Sequence, residues 1–182
     1  MDATLPLPAA LPGRAALALP GLVKPLAGLV LLGLAGACAR PEIAVFMAVL
    51  PTGLFLVAGV MSAPLLLVLH QALGLAASPQ RMAAALAQGA RAAGGLAGGL
   101  APAVLFFSLT SMRGSQALVV ALLWAGWAGL RAARRHLTLA ETEAGGGRPF
   151  ASAALAEAWC AVAMLLGLRL GWLAFHLVHR AA

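Results

Sequence analysis

Arg169 is the residue whose chemistry most needs explaining. It lies near the middle of residues 155–178, an apolar stretch in which the other charged residue, Glu157, stands close to the start. An arginine at the centre of a bilayer costs at least ~2.5–3.5 kcal/mol, so it persists with a partner, a wet cavity or a route to the interface. His176 and Arg180 follow seven and eleven residues later, on the same helical face within about 40°. That strip leads toward Glu42 and the corner formed by Ser108, Thr110 and Arg113. Arg169, His176, Arg180 and Glu42 are therefore the candidate site, and its chemistry is the binding of an anion or a lipid headgroup. The competing reading has Arg169 snorkelling outward to a carbonyl or to Glu42 with no ligand.

Other chemistries find little support. Asp2 is the sole aspartate, and no apolar stretch holds a carboxylate at its centre. Intramembrane acid catalysis, carboxylate metal sites and most proton relays need one. Ser62, Ser108 and Ser111 lack a nucleophile-elbow context and an evident base. Hydroxyls in such helices usually bond a backbone carbonyl or a neighbouring helix. His70 and His176 fall at opposite depths and cannot share a haem, so His70, His176 and His179 read as interfacial. Cys38 and Cys160 are isolated and fit no metal-ligand spacing. The expectation is a chain without metal, cofactor or catalytic residue.

The elements that must position these residues follow from composition. The chain is 63% hydrophobic and 9% charged, with a mean hydropathy of +0.98. Soluble domains hold about a quarter charged residues, so lipid has to be the solvent for most of this chain. A net charge of +7 does not indicate nucleic acid, because the cations are scattered singly between apolar runs. Residues 1–21 form a proline-rich amino-terminal segment, too broken by Pro6, Pro8, Pro12 and Pro20 for a secretory signal. Residues 22–182 read as one all-α transmembrane domain. About 20 apolar residues are needed per crossing, which gives spans at about 22–39, 43–74, 93–111, 115–131 and 155–178. Pro51 and Pro64 are expected to kink the long second run, or its ends leave the hydrocarbon. Residues 137–150 read as the one long polar loop.

Two shorter features complete the sequence pattern. Ser78 and Pro79 read as a helix start, and Gln80, Arg81, Gln88 and Arg91 then share a quadrant that excludes Met82 and Leu86. This segment is either an amphipathic helix in the headgroup layer or a plain extension of the third span. Gly94, Gly95, Gly98 and Gly99 make two overlapped patterns of small residues four apart, suited to close helix packing within the chain or to self-association.

Orientation comes from counting cations. With five spans, Arg14, Lys24, Arg81, Arg91, Arg131, Arg134, Arg135 and Arg148 share the amino-terminal side, against Arg40, Arg113 and Arg180 opposite. Positive charge favours the cytoplasm, so the amino terminus is expected inside. The stretches Ser62–His70, Ala77–Gln80 and Leu100–Phe107 resemble bacterial five-span integral membrane proteins of the Yip1-like kind, over about residues 43–131. The resemblance implies an inside amino terminus, five helices, a short outside tail and no catalytic residues. The acidic and aromatic signatures of the eukaryotic members are absent, so no trafficking partner is carried over.

The reading is thus a non-enzymatic protein of a bacterial inner membrane, a Yip1-like assembly or lipid-interacting component. Its partners are the lipid bilayer and other membrane subunits, not nucleic acid. The alternatives are a small transporter or channel subunit with a polar site near Arg169, and then a membrane-embedded enzyme.

Overall fold

A computed structural model of the chain describes residues 20–38, 41–111 and 114–181, apart from a few side chains, Arg180's among them. Arg14, Arg40 and Arg113 lie outside the described residues. The described part is all-α, with five helices: α1 Pro20–Ala37, α2 Ala44–Ala72 after a 3-10 turn at Pro41–Ile43, α3 Pro79–Thr110, α4 Gly114–Glu143 and α5 Pro149–Ala181. Four of them (α2, α3, α4 and Pro149–Leu173 of α5) are long and apolar enough to cross a membrane, and α1 is a shorter apolar helix. These helices fit an integral membrane protein that crosses several times.

Local chemistry sets the ends. Ser78 Oγ accepts the Arg81 N–H at 3.4 Å and Pro79 occupies the first helical position of α3. At α2 and α4 the chain turns through left-handed glycines, Gly74 at φ +62° and Gly145 at φ +76°, a conformation other residues seldom adopt. α2 remains one helix through Pro51 and Pro64. Pro51 leaves the Met47 carbonyl without its helical donor, and α1 lies so close there that a Cβ on Gly33 would overlap that oxygen.

One expectation needs correcting, and one open alternative is decided in favour of the helical extension. The polar stretch 137–150 is not a long loop, because α4 continues to Glu143 and leaves only a short turn before Pro149. The segment 78–91 is no separate element, since α3 runs unbroken from Pro79 to Thr110. The reason is the same in both cases. Met82, Ala85 and Gly89 of α3 and Ala133, Leu137 and Ala140 of α4 are buried together, so tertiary packing carries both helices past their apolar stretches.

The helices close a ring in the order α1, α2, α5, α4, α3, with neighbours antiparallel except α1 and α3, which run parallel. Small residues set the closest contacts. A Cβ on Gly129 would stand 2.8 Å from the Ala93 Cβ and 3.0 Å from the Gly89 carbonyl oxygen. One on Gly28 would overlap the Gly94 carbonyl and come within 3.2 Å of the Gly98 nitrogen. Gly94 and Gly98 are thus used inside the chain, against α1, whereas Gly95 and Gly99 are exposed with nothing beside them. Two cores result. Leu29, Leu32, Val104 and Leu118 centre one, and Leu66, Met82, Leu137 and Trp159 centre the other, beyond the reach of α1.

Candidate functional site

The most constrained polar group is one that sequence reasoning left in a loop. Glu141 is 2% exposed near the end of α4. Its carboxylate accepts the Ala76 N–H at 2.8 Å and the Ala77 N–H at 2.9 Å, and His70 Nε2 lies 3.4 Å away. The two amides belong to the α2–α3 connection, where no helix supplies acceptors, so Glu141 completes their hydrogen bonding. Gly146 packs on the carboxylate so closely that a side chain there would overlap it. Arg148 adds a second tie, donating from Nη1 to the Leu73 carbonyl at 3.1 Å. His70, read from the sequence as interfacial, is enclosed at this end of the bundle. It is 7% exposed and faces Glu141 inside the bundle.

Glu141 lies beyond Arg131, outside the apolar part of α4. Burial pushes its carboxyl up, but the Ala76 and Ala77 amides and His70 pull it further the other way, and it sits below the ordinary carboxylate value. The adjoining cavity measures about 10 Å³, at the lower limit for one water. There is no room for a substrate, so this cluster is a clasp that joins α2, α3 and α4.

A second tie joins α2 to α5. Trp159 Nε1 donates to the Ser62 carbonyl at 3.2 Å in a buried contact. Antiparallel register from that pair places Arg169 level with the residues around Thr52, about ten residues short of Glu42. Arg169 and Glu42 are both exposed, and among the described residues no ion pair joins them. His176 is exposed and meets Trp172 edge-on, ring centroids 4.6 Å apart. Arg169 and His176 thus share the outer surface of α5, away from the cavity beside Glu141, while the Arg180 side chain is outside the description.

The described cations gather elsewhere. The start of α1, the first half of α3, the second half of α4 and the start of α5 meet at one end of the bundle, as the contacts Gly21–Arg91, Gly89–Ala133 and Cys160–Leu130 require. Lys24, Arg81, Arg91, Arg131, Arg134, Arg135 and Arg148 are all at that end. Of the three described acids there, Glu141 is enclosed, Glu157 pairs with Arg134 at 2.8 Å and Glu143 is exposed. Arg131 also stands 6.0 Å over the Trp127 ring, an interfacial pairing of a cation and an aromatic. Among the described residues no group of three His, Cys, Asp or Glu side chains could hold a metal ion.

Comparison with protein-family models, curated proteins and solved structures finds no match to this chain.

Proposed function

We propose that this chain is a five-span protein of a bacterial inner membrane, with its amino terminus in the cytoplasm. It works without catalysis, as a Yip1-like component that organises anionic lipid or neighbouring subunits. The observation that supports this reading is the gathering of Lys24, Arg81, Arg91, Arg131, Arg134, Arg135 and Arg148 at one end of an apolar bundle. Each such cation near an anionic leaflet contributes about 1 kcal/mol of attraction. Arg169 and His176 form a smaller polar strip toward the other end, on the surface that faces lipid in this orientation.

The test is the lipid retained by the protein after extraction in mild detergent. Anionic phospholipid should be enriched over its share of the surrounding membrane, and the enrichment should fall as salt is raised. Retained lipid of the same composition as the bulk membrane, at low and high salt alike, overturns the proposal.

A further inference from the structure

The basic end carries one feature that a diffuse surface charge does not account for. Between the first turn of α1 and the middle of α3 lies an open groove of about 430 Å³, lined by Gly21, Lys24, Pro25, Arg91 and Gly95. We propose that this groove binds the phosphate headgroup of an anionic phospholipid, held between Lys24 and Arg91. The proposal rests on the reading that the basic end meets an anionic leaflet and gives that contact a defined site.

Arg91 is held in place by the sequence of α1. Pro25 has no N–H, so the Gly21 carbonyl one turn earlier has no helical donor. Arg91 Nε donates to that carbonyl at 3.5 Å. Gly21 carries no side chain, and Nη2 comes within 2.9 Å of the place where a Cβ would stand. The guanidinium has five N–H donors, and this contact uses the one on Nε. The Nη groups stay in the groove, in the fork geometry that suits two phosphate oxygens. Lys24 is exposed across from it on α1 and supplies a second, mobile cation.

Among the described residues nothing anionic lines the groove, and Glu141 and Glu157 are engaged elsewhere, with His70 and Arg134. A bound anion would supply the missing counter-charge. That the anion belongs to a lipid follows from what lies beside the groove. Gly95 forms part of its lining, and Gly99 is one turn further along α3. Both are exposed and a Cβ on either would touch nothing within 4 Å. Together they leave a shallow lane on the outer face of the bundle, running from the two cations toward the apolar end of α3, where an acyl chain can lie.

The proposal is tested by native mass spectrometry of the full chain in detergent, titrated with phosphatidylglycerol, with phosphatidylcholine and with inorganic phosphate. Phosphatidylglycerol should bind the wild type as a discrete first equivalent, well ahead of phosphatidylcholine. At about 1 kcal/mol per cation, removing both charges (Lys24→Gln with Arg91→Gln) should weaken that equivalent roughly thirty-fold. Lys24→Gln alone, at an exposed side chain, should weaken it about five-fold without touching the packing. Arg91→Lys should restore only part of what Arg91→Gln loses.

A charge-matched control, Arg81→Gln with Arg135→Gln, should stay within two-fold of wild type. If the control loses as much as the groove variant, attraction is spread over the basic end, and the groove proposal falls while the broader reading stands. If phosphatidylglycerol and phosphatidylcholine bind alike, both fall. If millimolar inorganic phosphate displaces the lipid and binds alone, the site is for a free anion, and the lipid assignment is overturned.

Discussion

Replacing Glu141 with glutamine exchanges one carboxylate oxygen of the clasp for an amide nitrogen and should be felt by three helices. The carboxylate receives the Ala76 and Ala77 amides at 2.8 and 2.9 Å, and Ala77 is 7% exposed whereas Ala76 is open to solvent. A glutamine turns its one oxygen to the buried Ala77 amide and leaves Ala76 to water. Hydrogen bonds to charged groups are worth about 1.5–3 kcal/mol and neutral ones about 0.5–1.5, so Glu141→Gln should cost about 1–2 kcal/mol. Glu141→Ala leaves the Ala77 amide buried without an acceptor and should cost about 3 kcal/mol. The assay is reversible unfolding in mild detergent, with proteolysis of residues 73–78 as a local readout. Glu143→Gln, at an exposed side chain, is the control. The pH dependence gives a second arm. Folding holds the Glu141 carboxyl below its ordinary value of 4.5, so the stability it supplies is complete above that pH and fades as pH falls through the lower folded value. The glutamine variant should lack that component. Unchanged stability and unchanged protection of residues 73–78 in Glu141→Ala would refute the clasp.

Glycine substitutions should separate contact from open space on one helix. Gly129→Ala drives a methyl against Ala93 and the Gly89 carbonyl and should destabilise the α3–α4 pair, whereas Gly126→Ala meets nothing within 4 Å and should be neutral or gain up to about 1 kcal/mol. Equal melting temperatures for the two would contradict the packing. Trp159→Phe removes the donor to the Ser62 carbonyl and should cost about 1 kcal/mol in the same unfolding assay, with no loss from Trp172→Phe, at an exposed ring. Arg169→Leu should fold as stably as wild type or more so, since it removes a charge from the outer face of α5. If Arg169 holds a headgroup, the variant should retain less anionic lipid, and Arg169→Lys should restore part of it.

Much of the architecture was legible because the features that specify it are local. Apolar runs of spanning length announced the helices, Ser78 and Pro79 announced the start of α3, and the spacing of Gly94 and Gly98 announced a close approach, which α1 fills through Gly28. The clasp was not legible in that way, because the donors of Glu141 lie 64 and 65 residues earlier in the chain. One signal pointed to it. Ala121, Ala125, Gly129, Ala133, Leu137 and Glu141 are buried and recur every four residues, so Glu141 continues the stripe that packs α4 against α3. A carboxylate on a buried stripe needs partners, and the unpaired amides before α3 were the available ones. Arg169 carried two readings, a headgroup site and outward snorkelling, and both place it at the surface: α5 packs through its first half, and Leu165, Leu168, Trp172 and Leu173 leave its second half open.

The most direct test of the transmembrane orientation uses a cysteine already in the chain. Cys38 is exposed at the end of α1, beside the start of α4, where Gly36 packs on Leu118. Thr142 is exposed at the other end of α4, about 40 Å away at 1.5 Å per residue. With Cys160 replaced by serine, a membrane-impermeant maleimide applied to intact cells should label Cys38. In a Cys38→Ser background, Thr142→Cys should label only after the inner membrane is opened. Labelling of both positions from the same side would contradict a bundle whose basic end faces the cytoplasm and whose opposite end faces out.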